Sequence, residues 1–330
     1  MILSVCLSPG LQRTVTIGTL TLGEVNRLQS VVVDVAGKGV NACRVLQRLG
    51  LDAVCLAQGG DNSDEVLALA GKEGLNLRLV PAPGMLRTCT SVIEMNLDGG
   101  RRVTELVEPT APVDTACVAA MDTAFSELLP KARALIVAGS MAPGFPAGYQ
   151  TRLAGQAHAL GIPVAIDLQN AALRDAMRAE PALVKINLAE FAAAFLRAPF
   201  AGGEHSGVLA EAAIGPELRG AIGDVARRHP ATTFVLTRGA KSVLSVQGDR
   251  LFETPVRPLP PEDTLSTIGC GDTFLAGLVA RLLAANALST SAAISFEALP
   301  PAIDFATRCA QSSARTASPG VMDSDSSPTL

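Results

Sequence analysis

Ser266-Thr267-Ile268-Gly269-Cys270-Gly271-Asp272-Thr273-Phe274 runs without a break into the apolar stretch 275–283. Small residues open a helix there, and a carboxylate falls in its first turn. Gly269 and Gly271 carry no Cβ, so backbone amides can crowd toward a ligand. Free amides and the macrodipole at a helix start favour anionic charge. Asp272 therefore stands where an anion binds, which suits a base that takes a proton from a hydroxyl attacking a phosphoryl group. A plain helix cap with an acid in its first turn uses the same residues. The rest of the chain separates the two readings.

The chain has 330 residues, enough to bury a large core as one α/β domain or one domain with an appendage. It is apolar and alanine-rich, with no Trp, one Tyr and a formal charge of −4. No basic block interleaved with aromatics is present, which argues against nucleic acid as a partner. No apolar run reaches membrane-spanning length, and residues 1–7 (MILSVCL) are too short for a secretory signal and lack a basic start. They read as a buried first strand. The seven cysteines are scattered, and no C-x-x-C or His/Cys pairing offers a metal site. A reduced, cytoplasmic protein is expected, with no membrane partner.

Apolar runs of strand length at 2–7, 53–57, 134–138, 164–167, 182–185 and 234–237 alternate with helical patterns at 40–49, 65–73, 149–160 and 217–228. That rhythm predicts a mostly parallel sheet covered on both faces. Residues 14–34 and 87–108 instead alternate apolar and polar at period two, with a Leu97-Asp98-Gly99-Gly100 turn inside the second. They read as hairpins that form a small sheet projecting from the main body. Residues 286–302, with Pro300-Pro301, read as a loop insertion, and the polar end 323–330 as a frayed tail.

A second glycine-rich loop, Ala36-Gly37-Lys38-Gly39-Val40-Asn41-Ala42, precedes a helical stretch. Gly37-x-Gly39-x-x-Ala42 loosely fits a dinucleotide-binding fingerprint. Against that, it lies outside the first strand–helix unit, Lys38 charges the turn, and no ribose-binding acid closes the unit. A tight turn at a helix start is the structural alternative. The reading kept here is an anion- or hydroxyl-binding loop with Lys38 and Asn41 facing a substrate.

Together the two loops resemble the paired signatures of the PfkB carbohydrate kinase family, which has the ribokinase-like fold. Ala36-Gly37-Lys38-Gly39-Val40-Asn41 is similar to its Gly-Gly-Lys-Gly-x-Asn loop, and Gly269-Cys270-Gly271-Asp272 to its G-A-G-D turn. Gly139-Ser140-Met141-Ala142-Pro143-Gly144-Phe145-Pro146, Lys185-Ile186-Asn187-Leu188-Ala189-Glu190 and Thr237-Arg238-Gly239-Ala240-Lys241 follow in the family's order. Leu7-Ser8-Pro9-Gly10-Leu11-Gln12-Arg13-Thr14 and Gly23-Glu24-Val25-Asn26-Arg27 resemble the phosphosugar branch, which includes 1-phosphofructokinase and tagatose-6-phosphate kinase. So do Arg87-Thr88 and Thr104-Glu105-Leu106-Val107-Glu108-Pro109.

The resemblance implies a three-layer kinase domain over 1–320, a β-sheet lid from about 12–34 and 87–108, and a flexible tail at 321–330. It implies ATP-dependent phosphorylation of a ketose phosphate and a homodimer through the lid. Asp272 would be the general base, with the amides of Gly269, Cys270 and Gly271 as the anion hole. Asn187 and Glu190 would organise hydrated Mg²⁺ on ATP, or simply cap a helix. Thr237 and Gly239 would border the nucleotide. Lys38, Arg27 and Arg87 are candidates for the substrate phosphate; Gln12, Gly37, Asn41 and Ser140 complete the substrate side.

Departures cluster on that side. Ser8 and Gln12 stand where the branch has N-P-A-L-D, so a neutral amide replaces an acid that grips sugar hydroxyls. Cys89 and Ser91 replace an amide and a lysine, and Val107 an asparagine. Another small hydroxylated acceptor is therefore the alternative within the fold, and a sugar- or nucleotide-binding sensor the alternative outside catalysis. Cys270 raises one more question. A thiol at a helix start can have a lowered pKa and react, or it can be a small buried filler.

Overall fold

In the computed structural model, residues 1–97, 100–197, 214–290 and 293–330 are described. The apolar run at the start forms β1 (Ile2–Cys6), and all five of its residues are buried. It lies in mid-sheet because both its faces are apolar, as in strands covered on two sides. On one flank it pairs with β4 (Ala53–Gln58), and β4 with β5 (Leu77–Val80). On the other flank follow β8 (Leu135–Ala138), β9 (Val164–Asp167), β10 (Leu183–Asn187) and β11 (Thr233–Thr237), all parallel. Only the edge formed by β12 (Val243–Gln247) and β13 (Arg250–Thr254) is antiparallel.

Period-two alternation divides the core between the two faces. Leu3 and Val5 join one cluster, with Phe125, Leu153, Leu173, Phe191 and Ile222. Those come from α3 (Thr115–Leu128), α4 (Tyr149–Ala159), α5 (Asn170–Ala176), α6 (Leu188–Phe195) and α7 (Pro216–Arg227). Ile2 and Cys6 join the other, with Leu46, Val66, Leu275 and Phe305. Those come from α1 (Lys38–Arg48), α2 (Ser63–Glu73), α8 (Cys270–Ala284) and α9 (Leu299–Ala314). The result is the three-layer α/β sandwich expected from the strand–helix alternation.

The second sheet has the order β3 (Ser30–Ala36), β2 (Gly10–Ile17), β6 (Arg87–Leu97), β7 (Gly100–Val107). β2 and β6 are parallel neighbours, each flanked by its own antiparallel partner. The two period-two stretches thus pair into one small sheet. Strand β2 begins at Gly10, ahead of the expected start at 14, and residues 18–29 form a long connection to β3. Leu97 pairs with Gly100; Asp98 and Gly99 of the expected turn lie outside the described residues.

One expectation is corrected. Pro300 and Pro301 do not sit in a loop insertion but in the first turn of α9. Proline fits there because a first-turn amide has no intrahelical acceptor and the ring presets φ. The start of the expected tail is tethered: the Asp323 amide donates to the Ser312 carbonyl at 3.3 Å, and the Ser312 hydroxyl donates to the Asp323 carbonyl at 3.2 Å. Among the described residues no helix is long and apolar enough to cross a membrane.

Candidate active site

The carboxyl ends of β9, β10 and β11, the start of α8 and the inner face of the small sheet enclose a cleft of about 600 Å³. Such a position, outside the carboxyl ends of parallel strands, is where open α/β sheets bind ligands. At Gly269 the chain turns with φ 78°, a left-handed conformation. A Cβ at Gly269 would also lie 2.7 Å from the Pro319 Cβ. Glycine alone meets both demands. A Cβ at Gly271 would sit 2.9 Å from the Lys185 Nζ, so its absence lets that ammonium reach the helix start. The Cys270 amide donates to the Thr267 carbonyl at 3.3 Å. Of the three amides expected to face an anion, those of Gly269 and Gly271 remain.

Asp272, in the first turn of α8, is buried, and one donor holds it in place. Asn41 Nδ2 donates to Asp272 Oδ2 at 2.8 Å, while Arg44 Nη1 donates to Asn41 Oδ1 at 3.1 Å. A guanidinium only donates. It therefore fixes the Asn41 oxygen on its own side and turns the amide nitrogen toward Asp272. Arg44 is itself anchored by Glu73 and by the carbonyls of Val35 and Pro319. Burial pushes the Asp272 carboxyl up and Asp167 adds to this, against the pull of Lys38, Asn41 and Lys185.

Below Asp272 lies a charge cluster in which sequence reasoning gave a role to Lys38 alone. Asp167 accepts from Lys38 Nζ at 2.6 Å and from Lys185 Nζ at 2.9 Å. Burial alone would raise its carboxyl, but the ammoniums of Lys185 and Lys38 outweigh it and hold the group at about 2. The Lys38 ammonium is held charged in turn: burial opposes it, and Asp167, Asp272 and Glu190 prevail. The sequence signal was available, since Lys185 interrupts an apolar strand and Asp167 closes another.

On the far side, Asn187 and Glu190 form a reciprocal cap. Asn187 Oδ1 accepts from the Glu190 amide at 2.8 Å, and Glu190 Oε2 from the Asn187 amide at 2.9 Å. Gln169 donates to the remaining Glu190 oxygen. Both residues nonetheless line the cleft. Among the described residues no group of three or more His, Cys, Asp or Glu could hold a metal ion. Thr237 lies at the border with an adjoining cavity of about 410 Å³, which Gly239 and Cys270 line.

The lid supplies Gln12, Arg87 and Glu105 to the cleft. Gln12 Nε2 donates to Ser91 Oγ at 2.7 Å, a neutral pair buried inside the lid. Among the described residues Arg87 makes one long hydrogen bond, 3.4 Å, to the Ser8 carbonyl. Lys38, Asn41 and Gly37 also line the cleft. Ser140 faces a neighbouring hollow of about 400 Å³ that shares Lys38 and Arg87. Arg27 is not brought to the cleft: it is exposed on the 18–29 connection and lines none of these cavities. The Cys270 thiol is pushed up to about 12 by burial, with Asp272 adding to it, so the helix start does not activate it.

A glycine turn at a helix start, a buried carboxylate in its first turn and a small sheet over the cleft are parts that a small-molecule phosphoryl-transfer site can use. A family model described as pfkB family carbohydrate kinase matches residues 12–324, and the chain belongs to that family. A 1-phosphofructokinase from Rhodobacter capsulatus is 31% identical over 280 residues, 84% of this chain and 82% of the relative. Phosphofructokinase-2 from Escherichia coli, crystallised with substrates and products, superposes with a TM-score of 0.81 at 20% identity, over 99% of this chain and 96% of that one. A possible 1-phosphofructokinase from Thermotoga maritima gives 0.77 at 19% identity, over 99% and 95%. The protein is an ATP-dependent sugar kinase.

Proposed function

We propose that this kinase transfers the γ-phosphoryl of ATP to a hydroxyl of a ketose phosphate, with fructose 1-phosphate as the favoured acceptor. The observation that carries the reading is Asp272 buried at the start of α8, with Lys38 and Lys185 behind it and the Arg87 cation across the cleft. Asp272 Oδ2 is engaged by Asn41, which leaves Oδ1 to take the acceptor proton. Lys185, Lys38 and the amides of Gly269 and Gly271 receive the charge that develops on the phosphoryl oxygens. Arg87 takes the phosphate already on the sugar. Thr237 and Gly239 border the nucleotide. The 31% identical relative from Rhodobacter capsulatus supports the choice of acceptor.

Glu190 and Asn187 are committed to each other, so they fit a Mg²⁺ ion through its water shell rather than by direct ligation. Magnesium carried on the nucleotide would neutralise phosphate charge. ATP use and the free state of all seven thiols fit a cytoplasmic enzyme.

ADP release with Mg·ATP tests the reading on fructose 1-phosphate, tagatose 6-phosphate, fructose 6-phosphate and free fructose. Turnover on fructose 1-phosphate is expected. Activity only on an unphosphorylated acceptor would replace it with the alternative that the Gln12–Ser91 pair leaves open.

The same reading includes a homodimer through the lid. Val31, Val32 and Val33 of β3 are 46%, 37% and 38% exposed, beside Leu22 at 87% and Val25 at 86%. An edge strand exposed and apolar on both faces marks an interface, and a second copy of the lid would cover it. Arg27 lies on that segment and would meet the partner. Sedimentation should show a dimer that Val32→Glu dissociates; a monomeric wild-type protein would rule this out.

A further inference from the structure

Among the described residues four carboxylates face the cleft, and three have hydrogen-bond partners. Asp167 is held by Lys38 and Lys185, Glu190 by its capping box and Gln169, and Asp272 by Asn41. Glu105, on β7, lines the same cleft and makes no hydrogen bond or ion pair among the described residues. It is exposed, and the cleft is what it is exposed to. Its charged neighbours are Arg87 and Asp272.

The strand register fixes where Glu105 sits. It pairs across the ladder with Ser91, and Ser91 already takes the Gln12 amide. Gln12 spends its amide N–H on Ser91 and keeps a single neutral acceptor oxygen, so Glu105 is the charged acceptor on the inner wall without a partner among the described residues. Arg87 begins the same strand, β6, four positions before Ser91, about 13 Å along the strand at 3.3 Å per residue. The wall is thus two-ended, with a cation at one end and an unpartnered carboxylate at the other. A phosphosugar has the matching polarity, with a phosphate for the guanidinium and hydroxyls that can only gain by donating to a carboxylate.

We infer that Glu105 is a specificity-determining residue that accepts hydrogen bonds from the sugar hydroxyls of the acceptor, while Arg87 holds its phosphate. This rests on the phosphosugar reading above. Because ionised Glu105 has acceptor oxygens only, two adjacent hydroxyls can donate to it together. A ligand with the phosphate alone gains nothing from it and meets a like charge.

The test is calorimetric titration of wild-type protein and Glu105→Gln with fructose 1-phosphate and, separately, with inorganic phosphate, beside ADP release with Mg·ATP. Loss of a charge-assisted hydrogen bond should weaken fructose 1-phosphate by about tenfold or more. Inorganic phosphate should bind the variant as well as, or better than, the wild type, which also shows that the lid is intact. Equal sugar affinity in the two proteins, or equal weakening of sugar and phosphate, overturns the role of Glu105. Sugar discrimination without turnover would overturn the phosphosugar-kinase reading and leave Glu105 standing. No binding of fructose 1-phosphate to the wild type overturns both.

Discussion

Asp167 and Asp272 lie in the same cleft floor, both buried, and their surroundings push them in opposite directions. Asp167 closes β9 and faces two ammoniums, which hold it at about 2 despite burial. Asp272 opens α8 and has the Asn41 amide as its hydrogen-bond donor; burial, with Asp167 adding, raises it. The cations that reach Asp272 electrostatically are the same Lys38 and Lys185 that hydrogen-bond to Asp167. One carboxylate is therefore over-compensated and fixed, and the other is under-compensated and free to accept a proton. Differences of this kind between neighbouring titratable groups separate structural from catalytic roles.

The largest effect should come from Asp272→Asn. Removing the base should lower turnover by about 10²–10⁴, with acceptor binding largely kept because Asn41 can still donate to the new amide oxygen. Since folding raises the Asp272 pKa, the ionised form is disfavoured in the fold at neutral pH. The neutral variant should therefore be more stable, by about 1 kcal/mol. Steady-state kinetics and urea denaturation of one preparation check both. Near-normal turnover would remove Asp272 from the chemistry, and a loss of stability would show that Lys38 and Lys185 compensate it after all.

How much of this contrast could be read in the sequence depends on distance along the chain. The Asp272 turn is local: glycines, a carboxylate and a helix fall within a few residues, and their meaning survives without a structure. The strands at 2–7 and 164–167 and the helix at 149–160 were equally local, and each lies where its pattern placed it within a residue or so. The Asp167 cluster is not local. It joins residues 38, 167 and 185 through the sheet order, which no periodicity encodes. The Asn41–Arg44 relay and the seating of Gly269 against Pro319 likewise needed the fold. Pro300 and Pro301 misled because proline punctuates loops and helix starts alike. At Cys270 the sequence left two readings, and burial decides for the filler, because proximity to a helix start lowers a thiol's pKa only if burial does not win first.

A smaller and opposite effect is expected at the other carboxylate. Asp167→Asn leaves two lysines, both engaged by that side chain, without their counter-charge. Removing one partner of a buried ion pair costs about 3–5 kcal/mol, and the lower end applies because Lys38 still reaches Asp272 and Glu190. Urea denaturation at neutral pH should show a loss near 3 kcal/mol, where Asp272→Asn shows a gain. Loss below about 1 kcal/mol would mean that the cluster is no better than a surface pair.

The smallest effect sharpens the comparison through pH. Asp167 has a folded-state value of about 2 against 3.8 for the free group. A depressed carboxylate stabilises the fold above its unfolded pKa and loses that contribution as pH falls through the folded one. The separation is worth about 2 kcal/mol, present above pH 3.8 and lost toward pH 2. Asp272 has the reverse sign: its penalty is present at neutral pH and is relieved as pH falls through its raised folded value. Acidification should therefore help Asp272 first and harm Asp167 afterwards. Denaturation series on the wild type and on Asp167→Asn isolate the second part, because the many other carboxylates are common to both. Between about pH 4 and 2 the wild type should lose stability more steeply than the variant, by up to one bound proton per molecule. Parallel curves would mean that Asp167 is already neutral in the folded protein, and that Lys38 and Lys185 are held by something other than its charge.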